Sequence, residues 1–330
     1  MEDRRANAVS VEIDWPLEGT TMYATLIRPP GPGPFPGVVM VAGSGPTDRD
    51  WCSPLLPGTN GSGRLLAEAL AAKGFASLRY DKRASGPHAR ENMPFLTGRM
   101  SLQGHLDELA GAVRVLAGEP WIDRSRLFAL ANSEGTLHAL NYQVHSPPYP
   151  FAGLVLTAPP GRSMGAVARA QIASQLSSLP DGPALLAAYD AAIARFLAGG
   201  VVMPDPSLPP GIHMLLQSLA HPANLPFTRE LWATDATTWL AQVQVPVLVV
   251  IGQKDIQVDW HVDGSALQQA AAGRDVTFFF PEHANHVLKH EPRPRSELTP
   301  SEVTSSYNSP SARLDPQTLE SILIWLEAHA

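Results

Sequence analysis

A single cysteine, Cys52, stands in 330 residues, which excludes an intrachain disulfide and any metal site built on several thiolates. One free thiol suits a reducing compartment. No apolar run approaches the roughly 20 residues that a helix needs to cross a bilayer. Residues 1–10 are polar and charged and lack the apolar centre of a secretory leader. These absences lead us to expect a cytoplasmic protein without a membrane span. Basic blocks are missing too. The 24 Lys and Arg face 31 Asp and Glu, the net charge is −7, and no basic stripe offers a surface to nucleic acid. No internal repeat is visible. What is present is a globular composition, 44% apolar and 17% charged, sufficient for a substantial core. Prolines are abundant and cluster at 29–36, 204–210 and 292–300, which reads as stiff loops on a structured chain.

Along the chain, short β-rich runs alternate with helical patterns. Val9–Ile13 and Met22–Ile27 flank a turn at Leu17–Thr20 and predict an opening hairpin. Gly37–Val41, Ala76–Tyr80, Arg126–Ala131, Gly153–Thr157, Val245–Ile251 and Val276–Phe280 predict buried strands. Helices are expected over Arg64–Lys73, stopped by Gly74, and over Leu102–Leu116, where Leu102, Leu106, Leu109, Val113 and Leu116 share one face. Others follow Ser133 to about His145 and cover Gly264–Ala272 and Asp315–His329. Strands alternating with helices mean a mostly parallel sheet covered on both faces, with the hairpin as an antiparallel edge. The alternation stops after Pro160 and resumes near residue 241. Residues 1–160 and 241–330 are therefore expected to form an α/β core. Residues 161–240 are expected to form a helical cap inserted above the C-terminal edge of the sheet, where open α/β sheets bind ligands.

The most informative stretch is Arg126-Leu127-Phe128-Ala129-Leu130-Ala131-Asn132-Ser133-Glu134-Gly135-Thr136. An apolar strand runs through a sharp turn bearing a serine straight into a helix, the layout of a nucleophile elbow. Such a turn needs small residues two before and two after the serine, because strand and helix nearly touch. Ala131 and Gly135 supply them. The turn also aims the free N–H groups of the helix start at whatever Ser133 attacks.

A serine nucleophile needs a base and a group to orient that base. The acid is expected after a late strand. Asp255 lies just past Pro246–Ile251, ahead of the rivals Asp259 and Asp263, which fall at or in the next helix. The base is expected after the last strand, where His286 leaves a full loop to reach back over the sheet. His283 is its main rival, and His290 falls further on. The oxyanion needs two converging N–H donors. One is the backbone N–H of Glu134. The other comes from the loop after the third strand, where Gly43 lets the backbone turn and Ser44 N–H is the candidate. The Glu134 carboxylate sits at a helix start, favourable for its charge, and is free either to rest there or to touch substrate. Asp48, Arg49 and Asp50 read as an ion-pair cluster holding this loop. His283, His286 and His290 have no carboxylate at ligand spacing, so no metal is expected. Phe278–Phe280 reads as a buried strand, and His105 and His138 as packing or surface residues of helices. The polar segment 292–313 reads either as a surface loop or as a lid on the His286 side.

On these residues the chain resembles the α/β-hydrolase superfamily over most of its length. More narrowly it is similar to bacterial carboxylesterases with a His-Gly-Ser-Gly-Pro-x-Asp-Arg-Asp loop. That loop is Ala42-Gly43-Ser44-Gly45-Pro46-Thr47-Asp48-Arg49-Asp50 in this chain. Ala42 stands where the family carries histidine, a departure that leaves the backbone donor at Ser44 in place. Arg79-Tyr80-Asp81-Lys82-Arg83, Ala158-Pro159-Pro160-Gly161-Arg162, Gly252-Gln253-Lys254-Asp255 and Asn285-His286 also match. The resemblance implies a mostly parallel eight-stranded sheet, a helical cap, an esterase-type acyl-enzyme mechanism and no cofactor, and the mostly apolar cap sequence suggests small or medium acyl or aryl esters. An amidase, peptidase, thioesterase or lactonase would use the same triad. A binding protein on the same fold would need none of it. An epoxide or haloalkane hydrolase would carry aspartate where this chain has Ser133.

Overall fold

The expected hairpin opens the fold. β1 (Val9–Leu17) turns at Glu18-Gly19 and returns as β2 (Thr20–Arg28), with Leu17 opposite Thr20. The computed structural model describes residues 8–145 and 147–330. Six further strands follow: β3 (Phe35–Val41), β4 (Ala76–Tyr80), β5 (Ile122–Asn132), β6 (Gly153–Thr157), β7 (Val247–Val250) and β8 (Val276–Phe279). The eight form one sheet in the order β1-β2-β4-β3-β5-β6-β7-β8. Pairing is antiparallel for β1–β2 and β2–β4 and parallel from β4 through β8.

Parallel strands need crossovers, and helices supply them. They include α1 (Ser62–Ala72), α2 (Ala89–Leu96), α3 (Leu102–Gly118), α4 (Glu134–Val144) and α10 (Val262–Ala270), while α11 (Pro300–Ser306) and α12 (Pro316–His329) follow the last strand. Five more, α5 (Met164–Leu176), α6 (Gly182–Leu197), α7 (Pro210–Ala220), α8 (Phe227–Ala233) and α9 (Ala236–Leu240), lie between β6 and β7. The side chains of the central strands alternate between two cores, as a period of two requires. Leu127, Ala129 and Ala131 of β5 face α3 and α4, packing with Leu109, Val113 and Leu140. Phe128 and Leu130 face the other way, onto Leu66 and Leu70 of α1 and Ile322 and Leu326 of α12. The central strands are therefore apolar on both faces, which is why their runs read as continuous rather than alternating. Between β6 and β7, Ile172, Leu176, Leu185, Tyr189 and Leu216 build a separate apolar cluster.

Three details depart from the expectations. β8 is the last strand and pairs with β7 alone, so Phe278, Phe279 and Phe280 are half-buried at an edge instead of fully buried. Helix α2 was not expected, because Pro94 interrupts its helical pattern. Part of the polar segment 292–313 also folds, as α11. No helix among the described residues is long and apolar enough to cross a membrane.

Candidate active site

β5 ends at Asn132 and α4 starts at Glu134, which leaves Ser133 alone to make the turn. Its backbone sits at φ 54° and ψ −123°, a left-handed conformation that L residues avoid. The neighbours hold it there. Ser133 N–H donates to Thr157 O at 2.9 Å, continuing the β5–β6 ladder, and Ser133 O accepts from Thr136 N–H at 3.0 Å. A side chain at position 135 would place its Cβ 2.6 Å from the carbonyl oxygens of both Val41 and Ala42. Glycine there is thus a condition for α4 to approach the end of β3. Gly43 is similarly close, 3.3 Å from the Ser133 Cβ for an added methyl. The loop carrying Ser44 therefore lies directly against the serine turn.

Asp255 follows β7 and is 0% exposed. Its Oδ1 accepts from the N–H groups of Gln257 at 2.7 Å and Val258 at 3.0 Å. Its Oδ2 is 2.8 Å from His286 Nδ1. One carboxylate oxygen is fixed by backbone and the other is left for the ring, so the imidazole orientation follows from the backbone. The loop of His286 is secured on both sides. Asn132 Nδ2 donates to His286 O at 3.2 Å and to Thr157 Oγ1 at 3.1 Å, and Asn285 Oδ1 accepts from Val287 and Lys289 N–H. Ser62 Oγ donates to Val287 O.

Ser133 and His286 line two cavities that meet between them. One, of about 320 Å³, is walled by Trp51, Leu55, Leu56, Tyr307 and Asn308. The other, of about 460 Å³, runs beneath the helices between β6 and β7 and is walled by Met164, Val167, Ile172, Leu215 and Trp232. Ser44 and Gln257 line both. Gln257 Nε2 donates to the Tyr307 hydroxyl at 3.0 Å and Gln257 O accepts from Gln171 at 2.9 Å, so this residue ties the two walls together. Tyr307 and Asn308 belong to the segment 292–313, which lies over the His286 side.

Ser44 N–H and Glu134 N–H have no protein acceptor among the described residues. The Ser44 loop is braced from behind. Arg49 donates to both oxygens of Asp81, with Nη2–Oδ2 at 2.6 Å, and reaches Glu12. Arg79 Nε lies 3.2 Å from Asp50 Oδ1, at ion-pair range without hydrogen-bond alignment. Asp48 Oδ1 accepts from the N–H groups of Asp50 and Cys52 at 2.9 Å. The Asp48-Arg49-Asp50 triplet is thus an ion-pair and turn cluster. Burial pushes the Cys52 thiol up to about 12, with Asp48 and Asp50 adding to it, so the thiol stays protonated at neutral pH.

The rival residues are engaged elsewhere. Asp263 pairs with Arg162 at 2.8 Å, Asp259 with Arg295 at 3.0 Å, and His290 with Asp315 at 3.1 Å. His283 packs its ring against His290 at 5.0 Å. Among the described residues no group of three His, Cys, Asp or Glu is arranged to hold a metal ion.

The Glu134 carboxylate points inward, 2% exposed, with Oε1 3.5 Å from Lys82 Nζ and 3.2 Å from His138 Nε2. Burial raises its pKa, but Lys82, His138 and His105 outweigh burial and hold it well below the usual carboxylate range. His138 stacks near His105 at 4.9 Å, and His105 Nδ1 is 2.8 Å from Glu108 Oε2. Glu108 Oε1 accepts from Arg83 Nε at 2.9 Å. His105 and His138 thus belong to a buried polar chain rather than to the surface. Sequence reading missed this chain, and it missed Asn132, Gln257 and Tyr307. Asn132 lay in plain view inside the elbow motif. The others are joined only by the tertiary fold.

No family model matches the chain. Esterase EstD of Thermotoga maritima is 27% identical over 260 residues, 79% of this chain and 56% of that relative. The chain thus spans little more than half the length of the curated relative it matches. Among solved structures, an α/β hydrolase, GrgF, from Penicillium sp. sh18 superposes with a TM-score of 0.56 at 14% identity, covering 98% of both chains. Fungal esterases from Rhizomucor miehei superpose with a TM-score of 0.55 at 15% identity, covering 99% of this chain and 88% of theirs.

Proposed function

We propose that this chain, which has the α/β-hydrolase fold, is a serine hydrolase that cleaves carboxylic esters of small or medium size through a covalent acyl-enzyme. One observation carries the reading. Ser133, at φ 54° on the turn into α4, shares its cavities with His286, whose ring is bonded at 2.8 Å to the fully buried Asp255. That the Thermotoga relative is an esterase supports esters as the substrate class.

In this scheme Ser133 Oγ attacks the ester carbonyl while His286 Nε2 takes its proton. Asp255 holds Nδ1 protonated and stabilises the imidazolium that forms. Ser44 N–H and Glu134 N–H receive the oxyanion, and their freedom from protein acceptors leaves them ready to do so. His286 returns the proton to the departing alcohol, then activates water to release the acid. Helices α5–α9 serve as the cap over the larger cavity, whose mostly apolar wall favours acyl or aryl groups over polar polymers.

The test is labelling with a fluorophosphonate probe followed by mass mapping of the adduct. An adduct on Ser133 that disappears in the His286→Ala variant is the expected result. Retained turnover in Ser133→Ala, or a folded protein that takes no label, overturns the scheme. A panel of matched esters, thioesters and amides then ranks the leaving groups, with the ester expected first.

A further inference from the structure

The elbow supplies one oxyanion donor through a helix terminus, which is rigid by construction. The other donor, Ser44 N–H, sits on a loop outside any strand or helix. Its direction is therefore set by whatever fixes the Gly43–Ser44 peptide plane. In a planar trans peptide the N–H points opposite to the preceding C=O, so holding the Gly43 carbonyl aims the Ser44 N–H. Lys82 holds it. Lys82 follows β4, the neighbour of β3, and its Nζ donates to Gly43 O at 2.6 Å from a buried position. Lys82 is 5% exposed and pairs with the Glu134 carboxylate, 3.5 Å away.

We propose that Lys82 is a positioning residue for the oxyanion hole, acting through the Gly43 carbonyl. Glu134 then serves the hole twice, with its backbone N–H as one donor and with its carboxylate as the anchor of the lysine that aims the other. This inference rests on the serine-hydrolase reading above. The case for it is economy of burial. Charged groups in a protein interior contribute little net stability, and removing one leaves its partner stranded. Lys82 and Glu134 occupy the space immediately behind the hole, where an apolar pair would fill the volume but leave the Gly43 carbonyl without its donor. His138 completes the setting, with Nε2 3.2 Å from the same Glu134 Oε1. Further along, Arg83 and Glu108 form a second buried ion pair that touches neither Gly43 nor Ser44.

A paired substrate separates positioning from mere packing. An oxoester places oxygen in the hole, whereas the matching thionoester places sulfur, which accepts hydrogen bonds poorly. A working hole therefore favours the oxoester, and the ratio of the two kcat/KM values reports its alignment. In Lys82→Met/Glu134→Gln, which removes both charges together, we expect oxoester kcat to fall by about 10²–10³-fold, the range for loss of one donor. KM should stay within about threefold, and the oxo/thiono ratio should fall by nearly as much as kcat. Glu134→Gln alone keeps an acceptor for Lys82 and should lower the ratio by about tenfold. It is the variant to rely on if the double variant does not fold.

Arg83→Met/Glu108→Gln is the control, expected to lower thermal stability and leave the ratio unchanged. The proposal is overturned if the ratio is unaffected in the Lys82 and Glu134 variants, or if it falls equally in the control. Wild-type protein that neither labels at Ser133 nor turns over the oxoester overturns the underlying reading and this one with it. A wild type that does both, with variants whose ratio is unchanged, sinks only the role of Lys82.

Discussion

At the residue scale, the site depends on two kinds of precision. The first is chemical. Asp255 gives one oxygen to two backbone N–H groups and the other to His286. Asp255→Asn preserves the shape but offers His286 an amide, which selects the wrong tautomer of the ring. The expected result is a drop in kcat of about four orders of magnitude with KM little changed and folding intact, read by steady-state kinetics. The second is steric. In Gly135→Ala the new methyl meets two backbone oxygens at 2.6 Å, and backbone has little room to move. A loss of about 1–3 kcal/mol in urea unfolding is expected, with a clear fall in kcat because the turn itself is displaced. Unchanged stability would mean that α4 can withdraw from β3, contrary to the close packing described. Gly135 could be foreseen from sequence, since the turn requires a small residue there. Lys82 could not, because its partner lies 39 residues away and nothing local marks the pair.

At the scale of elements, α12 does more than cover a face of the sheet. Its cap residue Asp315 accepts from Thr318 N–H and Oγ1 at 2.9 Å, and its own N–H donates to Leu288 O at 2.8 Å, two residues beyond His286. Asp315→Ala should cost about 1–2 kcal/mol of stability by urea titration. It should lower kcat less than tenfold, since Asn132 and Asn285 still hold the His286 loop. A large kcat effect without a stability change would contradict this division of labour. Elements with strong patterning were legible in the sequence: the hairpin, β5 into α4, α3 and the closing helix each carry periodic apolar positions and a stop or a cap. The helix α11 was not, because it is short and mostly polar, and it is held by one buried apolar residue, Val303, and by contacts around Tyr307 and Asn308 rather than by an amphipathic stripe.

At the scale of the molecule, the buried polar chain from Arg83 to Glu134 makes the fold sensitive to acid. Burial raises Glu108, yet His105 and Arg83 hold it down to about 2 against an ordinary value of 4.5. The folded value lies below the unfolded one, so the unfolded chain takes up the proton first. The stabilisation is complete above about pH 4.5 and is lost as pH falls toward 2. Urea titrations at pH 7, 4.5 and 3 should show a steep fall over the lower interval. Glu108→Gln should flatten that slope while costing about 3–5 kcal/mol at pH 7, because Arg83 is left buried without its carboxylate. The two cavities that meet at Ser133 have a different consequence. Under the proposed acyl-enzyme scheme, when the first product leaves, one chamber would empty while the acyl group still occupied the other, bonded to the serine. Whatever next enters the vacant chamber competes with water for that acyl group. Small primary alcohols added to the reaction should therefore divert part of the flux into a new ester, in proportion to their concentration and without slowing acylation. Chromatography of the products would measure the partition, and exclusive formation of acid at every alcohol concentration would mean that the vacant chamber closes before deacylation. On that scheme the protein would be as much an exchanger of alcohols as a consumer of esters, with the water content of its surroundings deciding which.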